Sequence, residues 1–247
     1  MMIPASGNII SSVPQIQASN NGTISKEQAI VLKSHILGIN NIAGVVRPMS
    51  ARFLRNYFQS SVKEISLTQE EITRIMEAVH KRDGGYSIAT PHNPALMSAL
   101  NKAKANGRNG TYTSEFQPVA FISNFPAESD YYSAFGSALV QAQITVENGK
   151  AVNVKYKIND DYTWKGGAET LFQIDRSTYT LLSNYFKSNR ISRAHGIEVT
   201  EESRGYYFLR IQDEFFTNTF ERHGLAKTFN IISPKWSNAI NINIPVR

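Results

Sequence analysis

Apolar residues in the first half of the chain recur every three to four positions, the spacing of amphipathic helices. Thr68 and Glu71 have the spacing of a capping box at the start of one such segment, as do Ser25 and Gln28 at the start of another. The apolar stripe that follows Thr68 comprises Ile72, Ile75, Met76 and Val79. The predicted helices cover about residues 25–38, 50–61, 68–82 and 93–106. Four helices of these lengths predict one small bundle.

Beyond residue 114 the apolar positions alternate with polar ones, which predicts strands. Residues 107–114, which precede the strands, are rich in Gly and Thr and are predicted to form a loop or linker. The strongest strand pair covers about residues 137–146 and 151–159. Later candidates are strands near 206–211, 228–232 and 239–244 and helices near 177–187 and 213–223.

The turn between the two strongest strands is constrained by the face that each apolar residue occupies. A two-residue turn over residues 148–149 places Thr145 opposite Val152 and mismatches the two apolar faces. A three-residue loop over residues 147–149 instead pairs Ile144 with Val152. We therefore predict the three-residue loop, with its glycine in the left-handed conformation.

A helical first half followed by a β-rich second half predicts an α+β protein with a mainly antiparallel sheet. We expect three parts: a flexible arm over residues 1–22, a helical domain over 23–110 and a β-rich domain over 111–247. The arm lacks the basic and apolar regions of a signal peptide, and no segment approaches the roughly 20 apolar residues of a membrane span. We expect a chain made in the cytoplasm without a signal peptide.

Composition limits the chemistry of the chain. Its 247 residues include no cysteine, which excludes thiol catalysis and thiolate metal sites. The formal net charge is +6, with basic residues spread thinly and no run longer than Lys81-Arg82. Such a surface suits an anionic lipid headgroup, whereas the lack of a clustered basic stripe does not favour a nucleic-acid partner.

One candidate site follows the second strong strand, where two adjacent acids, Asp160 and Asp161, precede Tyr162 and Trp164. Strand alternation directs Asp160 and Tyr162 to the apolar face and Asp161 away from it. Carboxylates at a strand end can hold a divalent cation or transfer protons. The alternative is an ordinary polar strand end, since acids and glycines are common in turns.

Two histidines are further candidates for acid or base chemistry. His195 and His223 each precede a glycine and lie near basic residues in the sequence. Both positions are also typical of a helix C-terminus, where a cation is favourable. No two histidines have zinc-ligand spacing, and the sequence contains neither a nucleophile elbow nor a phosphate-binding loop motif.

The order of elements over about residues 115–245 resembles the catalytic domain of colicin M-type bacteriocins and of related toxin domains carried by bacterial injection systems. Asp160 and Tyr162 match the first and third positions of the Asp-x-Tyr-Asp signature of that family. Thr163 stands where the signature has its second aspartate, and Glu169-Thr170 stands where it has His-Arg. The match to the signature is therefore partial.

The resemblance implies an open β-sheet or half-barrel with short helices, and cleavage of lipid II at its undecaprenyl-pyrophosphate link with Mg²⁺ in the target periplasm. It makes Asp160 and Asp161 candidate metal ligands and places Tyr162 and Trp164 at the lipid interface. The candidate catalytic residues are Asp160, Asp161, Tyr162, His195 and His223. A secreted or injected toxin of this kind implies a cognate immunity protein and a delivery or receptor component as partners.

Three functions follow from these observations. The first is an antibacterial effector that acts on lipid II or another anionic envelope lipid, as a Mg²⁺-dependent phosphodiesterase or pyrophosphate-type hydrolase. The second is a non-enzymatic effector or binding protein on the same scaffold, because the signature is incomplete. The third is a nuclease or nucleic-acid binder, suggested by the basic charge and by the basic residues near the two histidines.

Overall fold

The computed structural model describes residues 2–3, 23–44, 47–82, 93–107, 109–122, 129–164, 169–202 and 205–246. It confirms the predicted α+β class, with a helical N-terminal region and two open sheets, neither of which closes into a barrel. The chain forms two compact units, and each unit is built from two separate segments. The first unit comprises residues 1–63 and 163–228, and the second comprises residues 64–162 and 229–247.

The elements run along the whole described chain. The helices are α1 (Lys26–Ala43), α2 (Pro48–Phe58), α3 (Gln69–Arg82), α4 (Pro94–Asn106), α5 (Ser129–Phe135), α6 (Arg176–Ser188) and α7 (Asp213–Phe215). The strands are β1 (Met2–Ile3), β2 (Glu64–Ser66), β3 (Gly110–Thr113), β4 (Gln117–Ala120), β5 (Ser137–Glu147), β6 (Lys150–Tyr162), β7 (Glu169–Ile174), β8 (Ile197–Glu202), β9 (Tyr206–Gln212), β10 (Phe229–Ile232) and β11 (Ile240–Pro245). A 3₁₀ turn covers Arg193–His195, and a π-helix over Phe216–Glu221 continues α7.

The first unit contains a four-stranded sheet in the order β1-β7-β9-β8. The pair β1–β7 is parallel, and the other pairs are antiparallel. Helix α1 packs on α2, and α6 packs against β8 and β9. Met2–Ile3 of the predicted flexible arm therefore forms a strand, while residues 4–22 lie outside the described part of the chain.

The second unit contains a larger sheet whose main path is β2-β10-β6-β5-β3, with β11 also paired to β6 and β4 also paired to β5. All its pairs are antiparallel except β2–β10. Helix α3 packs against β6, and α4 packs against β5.

The four predicted N-terminal helices exist, but they do not form one bundle. Helices α1 and α2 belong to the first unit, whereas α3 and α4 belong to the second and bury their apolar stripes on its sheet. The division into units also differs from the predicted boundary after residue 110, because each unit combines helices of the first half with strands of the second. An amphipathic stripe fixes which face of a helix is buried, but it does not identify the surface that covers it.

The central hairpin β5–β6 forms as predicted, but with a different turn. Residues 148–149 form a two-residue turn in which both φ angles are positive, 50° and 72°, as in a type I′ turn. The expected mismatch is removed by a β-bulge: Thr145 pairs with Asn153, Val146 pairs with Ala151, and Val152 is the extra residue. The predicted three-residue loop and the Ile144–Val152 pair are therefore wrong.

The predicted loop over residues 107–114 also contains regular structure. Residues 110–113 form β3, which pairs with β5 from Gly110 opposite Val146 to Thr113 opposite Gln143. A strand of four residues is too short for its alternation to be recognised in the sequence.

Two serines complete the hydrogen bonding of β6 along a stretch of one edge that no described strand covers. Along that edge β11 pairs with residues 150–154 and β10 with residues 160–162. Between them, the Ile158 N–H donates to Ser233 Oγ (2.9 Å), and the same hydroxyl donates to the Ile158 carbonyl (2.8 Å). The Tyr156 N–H donates to Ser237 Oγ (2.9 Å), and the Ser237 N–H donates to the Tyr156 carbonyl (2.8 Å). The two serines thus supply the hydrogen bonds that a neighbouring strand would otherwise make with this part of β6.

Both predicted capping boxes are present. In α3 the Thr68 N–H donates to the Glu71 carboxylate (2.9 Å), and the Glu71 N–H donates to Thr68 Oγ1 (3.2 Å). In α1 the Ser25 N–H donates to Gln28 Oε1 (2.8 Å), and the Gln28 N–H donates to Ser25 Oγ (3.2 Å).

A Thr68→Ala variant is expected to lower the free energy of unfolding by about 1 kcal/mol, because it removes the side-chain acceptor at the start of α3. Urea denaturation measures this change. Glu70→Gln is the matched control, since Glu70 is exposed in the same helical turn. An equal loss in both variants would show that the loss in Thr68→Ala is not specific to the cap.

Candidate functional site

The predicted acid pair lies inside a paired strand. Strand β6 extends to Tyr162, past the predicted end near residue 159, and Asp160 and Asp161 pair with Ile231 and Asn230 of β10. The side chain of Asp161 is exposed and that of Asp160 is half-buried. Consecutive strand residues point to opposite faces, so the two carboxylates diverge.

The aromatic residues beside the acids are packed within the protein. Tyr162 is 9% exposed, and its ring stacks on Phe229 with centroids 4.9 Å apart. Trp164 stacks on Phe216 of the π-helix at 3.8 Å, with the two ring planes 5° apart. These contacts pack the two rings that were predicted to lie at a lipid interface against other rings of the chain.

Both predicted histidines contact backbone groups. The Ser192 N–H donates to His195 Nδ1 (3.2 Å), which closes the 3₁₀ turn. His223 Nε2 lies 2.9 Å from the Ile24 carbonyl oxygen, so this nitrogen is the donor. The two histidines belong to the first unit, whereas Asp160, Asp161 and Tyr162 belong to the second.

The part of the chain that the structure describes contains no group of three or more His, Asp or Glu side chains placed to hold a metal ion. Asp160 and Asp161 diverge and do not converge on one ion. Glu169, which stands at the His-Arg position of the colicin M-type signature, instead accepts a hydrogen bond from Arg210 (2.8 Å). Arg210 also pairs with Glu202. Among the described residues, no carboxylate cluster therefore marks a Mg²⁺ centre.

A different group of charged side chains lies at the C-terminal end of α6 and in the turn before β8. We call residues 187–196 the basic turn. Its side chains Lys187, Arg190 and Arg193 are exposed, and His195 is half-buried. Arg190 has a φ of 54°, in the left-handed region that glycine normally occupies after a helix.

The basic turn is attached to the rest of the first unit by its uncharged residues. The buried Asn189 donates from Nδ2 to the Tyr185 carbonyl (2.9 Å), and its own carbonyl accepts from Gln28 Nε2 (3.4 Å). Ile191 is buried. The Gly196 carbonyl accepts from the Gln212 N–H (2.8 Å). The turn that carries the cations is thus fixed to the first unit through Asn189, Ile191 and Gly196.

The charge of the chain is unevenly divided. The first unit contains 15 Lys and Arg against 9 Asp and Glu, whereas the second contains 11 of each. The whole formal net charge of +6 therefore belongs to the first unit. Composition alone gave the total, but its division depends on which segments fold together.

Two buried titratable side chains of the first unit were not identified from the sequence. Burial, with the nearby carboxylate of Glu214, raises the pKa of Asp213 to about 6. Burial lowers the pKa of His35, and no described residue hydrogen-bonds to its Nδ1. An acid between the strand and helix patterns near residue 213 was the available signal for Asp213.

No family profile, no characterised protein and no solved structure matches this chain. The colicin M-type resemblance therefore stays a prediction. Among the described helices, none combines the length and the apolar character needed to span a lipid bilayer.

Proposed function

We propose that the protein is a non-enzymatic effector that binds an anionic lipid surface. The observation that supports this proposal is the charge division, +6 on the first unit and zero on the second. Each Lys or Arg near an anionic bilayer contributes about 1 kcal/mol of attraction. The predicted catalytic residues add support, because Asp160 and Asp161 diverge and both histidines contact backbone groups.

Flotation with lipid vesicles tests this function. We expect at least about tenfold stronger binding to vesicles of equal phosphatidylglycerol and phosphatidylcholine than to phosphatidylcholine alone, since two cations at the surface suffice for that ratio. At 1 M salt the preference should disappear, because the Debye length falls to about 3 Å. Equal binding to both vesicle types at low salt would contradict the proposal.

Hydrolysis of lipid II is the second candidate function. It is favoured by the exposed Asp161 side chain beside the partial signature of Asp160 and Tyr162. Incubation of lipid II with the protein, with and without Mg²⁺, followed by separation of the products, tests it. Turnover that is lost in an Asp160→Ala, Asp161→Ala double variant would support hydrolysis, and intact lipid II in both conditions would remove it.

A further inference from the structure

We propose that the basic turn, residues 187–196, is the site that binds the phosphate groups of an anionic lipid surface. This inference rests on the proposed function and names the residues responsible for it. Lys187, Arg190 and Arg193 present three exposed cations within seven residues. Among the described residues, the only ion pair of these three cations joins Arg193 Nε to Glu198 at 3.7 Å, and Arg193 remains 75% exposed.

The backbone at Arg190 is the first argument for a binding role. The described non-glycine residues with positive φ are Asn148 and Arg190. Asparagine tolerates this region, whereas an arginine there carries a steric cost that glycine avoids. The turn after α6 otherwise has the hydrogen bonds of a glycine-ended helix, with the Ile191 N–H donating to the Phe186 carbonyl (2.8 Å). An arginine with a strained backbone, at a position that favours glycine, supports a binding function for its guanidinium group.

Rigidity is the second argument. The buried Asn189 and Ile191 alternate with the exposed cations. Gly196 is tightly packed at the other end of the basic turn, since an added Cβ would lie 3.3 Å from both Gln212 Oε1 and Phe215 Cβ. A ligand therefore does not have to order this backbone, which lowers the entropic cost of binding.

The shape of the basic turn favours a lipid surface over a nucleic acid. The exposed residues between its cations, Ser188, Ser192 and Ala194, are small, so they leave the cations accessible to a phosphate surface. Single-stranded nucleic acids are normally bound with aromatic rings on which bases stack, and no exposed position of the turn carries one. A compact basic patch without aromatics matches an anionic bilayer.

The test compares two triple variants of the full chain on vesicles of equal phosphatidylglycerol and phosphatidylcholine. The turn variant is Lys187→Gln, Arg190→Gln, Arg193→Gln. The control is Arg176→Gln, Arg222→Gln, Lys227→Gln, which removes the same charge from exposed positions of the same unit. We expect about 100-fold weaker binding for the turn variant, from three cations at the surface, and less than about threefold for the control.

A single Arg190→Gly substitution separates a binding role from a structural one. It should weaken vesicle binding by about fivefold, while raising the midpoint of thermal unfolding by about 2–4 °C because the strain is relieved. A residue retained only for the fold would show no loss of binding. Unchanged or lower thermal stability together with full binding would overturn the assignment of Arg190.

The outcomes distinguish this inference from the function on which it rests. Equal losses in the two triple variants would overturn the basic turn as the site and leave lipid binding through general charge. Absence of binding by the unmodified chain would overturn both. Retained vesicle binding in the turn variant, with selective loss of binding to an oligonucleotide, would assign the turn to nucleic acid and overturn the lipid site.

Discussion

A Ser233→Ala variant is expected to unfold with a free energy about 2–4 kcal/mol below that of the unmodified protein. The single Ser233 hydroxyl accepts from the Ile158 N–H and donates to the Ile158 carbonyl, and both residues are buried. Alanine leaves two main-chain groups of a central strand without partners. Each buried unpaired group costs about 1–3 kcal/mol.

Ser237→Ala is the matched control for this variant. Ser237 Oγ accepts from the Tyr156 N–H, but the Tyr156 carbonyl is paired with the Ser237 main chain and survives the substitution. Its loss should be about half as large. Urea denaturation followed by Trp236 fluorescence in a Trp164→Phe background reports on the second unit alone, since the chain has two tryptophans, one in each unit. Equal losses in the two serine variants would contradict the two-group explanation.

An Asp213→Asn variant is expected to be more stable than the unmodified protein at pH 7, by about 1–3 kcal/mol. The side chain is buried and its pKa is raised to about 6, against about 3.9 in an unfolded chain. A raised folded pKa means that the folded state holds the proton more tightly. Stability from this group is therefore present below about pH 4 and lost as the pH rises through about 6. Asparagine removes that loss.

Urea denaturation at pH 4 and pH 7, followed by Trp164 fluorescence in a Trp236→Phe background, measures the effect. The gain should be close to zero at pH 4 and complete at pH 7. Glu214→Gln removes a charge from the neighbouring exposed position and should change stability by less than about 0.5 kcal/mol. A less stable Asp213→Asn variant at pH 7 would mean that the carboxylate stabilises the fold.

The stability of the Asp213→Asn variant must be compared with that of the unmodified protein at each pH, because the contribution of His35 to stability changes with pH in the opposite direction. Its pKa is lowered by burial, so its contribution to stability is present above about pH 6.5 and lost on acidification. The two groups oppose each other in the pH dependence of the unmodified protein.

The helix caps and the buried faces of the helices were predictable from the sequence, whereas the hairpin turn and the long-range arrangement were not. The capping boxes of α1 and α3 follow from spacing, because each partner lies three residues away. The bulge at Val152 is a choice between two registers that share the same alternation, and the apolar pattern fits either. The separation of α1 and α2 from α3 and α4 depends on long-range packing, because α3 contacts β6 and α4 contacts β5, whereas α1 contacts the π-helix more than 170 residues further along the chain.

The candidate site was likewise predicted only in part from the sequence. The alternation of β6 correctly placed Tyr162 inward and Asp161 outward. The basic turn was missed because its cations are spaced by three residues and form no run. The strain at Arg190 depends on α6 ending at Ser188, which no sequence pattern fixes to one residue.

The last residue of β6, Tyr162, pairs directly with the first residue of β10, Phe229. In an antiparallel sheet these neighbours could be joined by a two-residue turn. Residues 163–228 therefore occupy the place of a hairpin loop, as an insertion of 66 residues between Tyr162 and Phe229 that supplies one of the two segments of the first unit. The strands β10 and β11, which pair with the same edge of β6, are synthesised only after the whole insertion. During synthesis that edge of β6 therefore stays unpaired until residues 163–228 have left the ribosome.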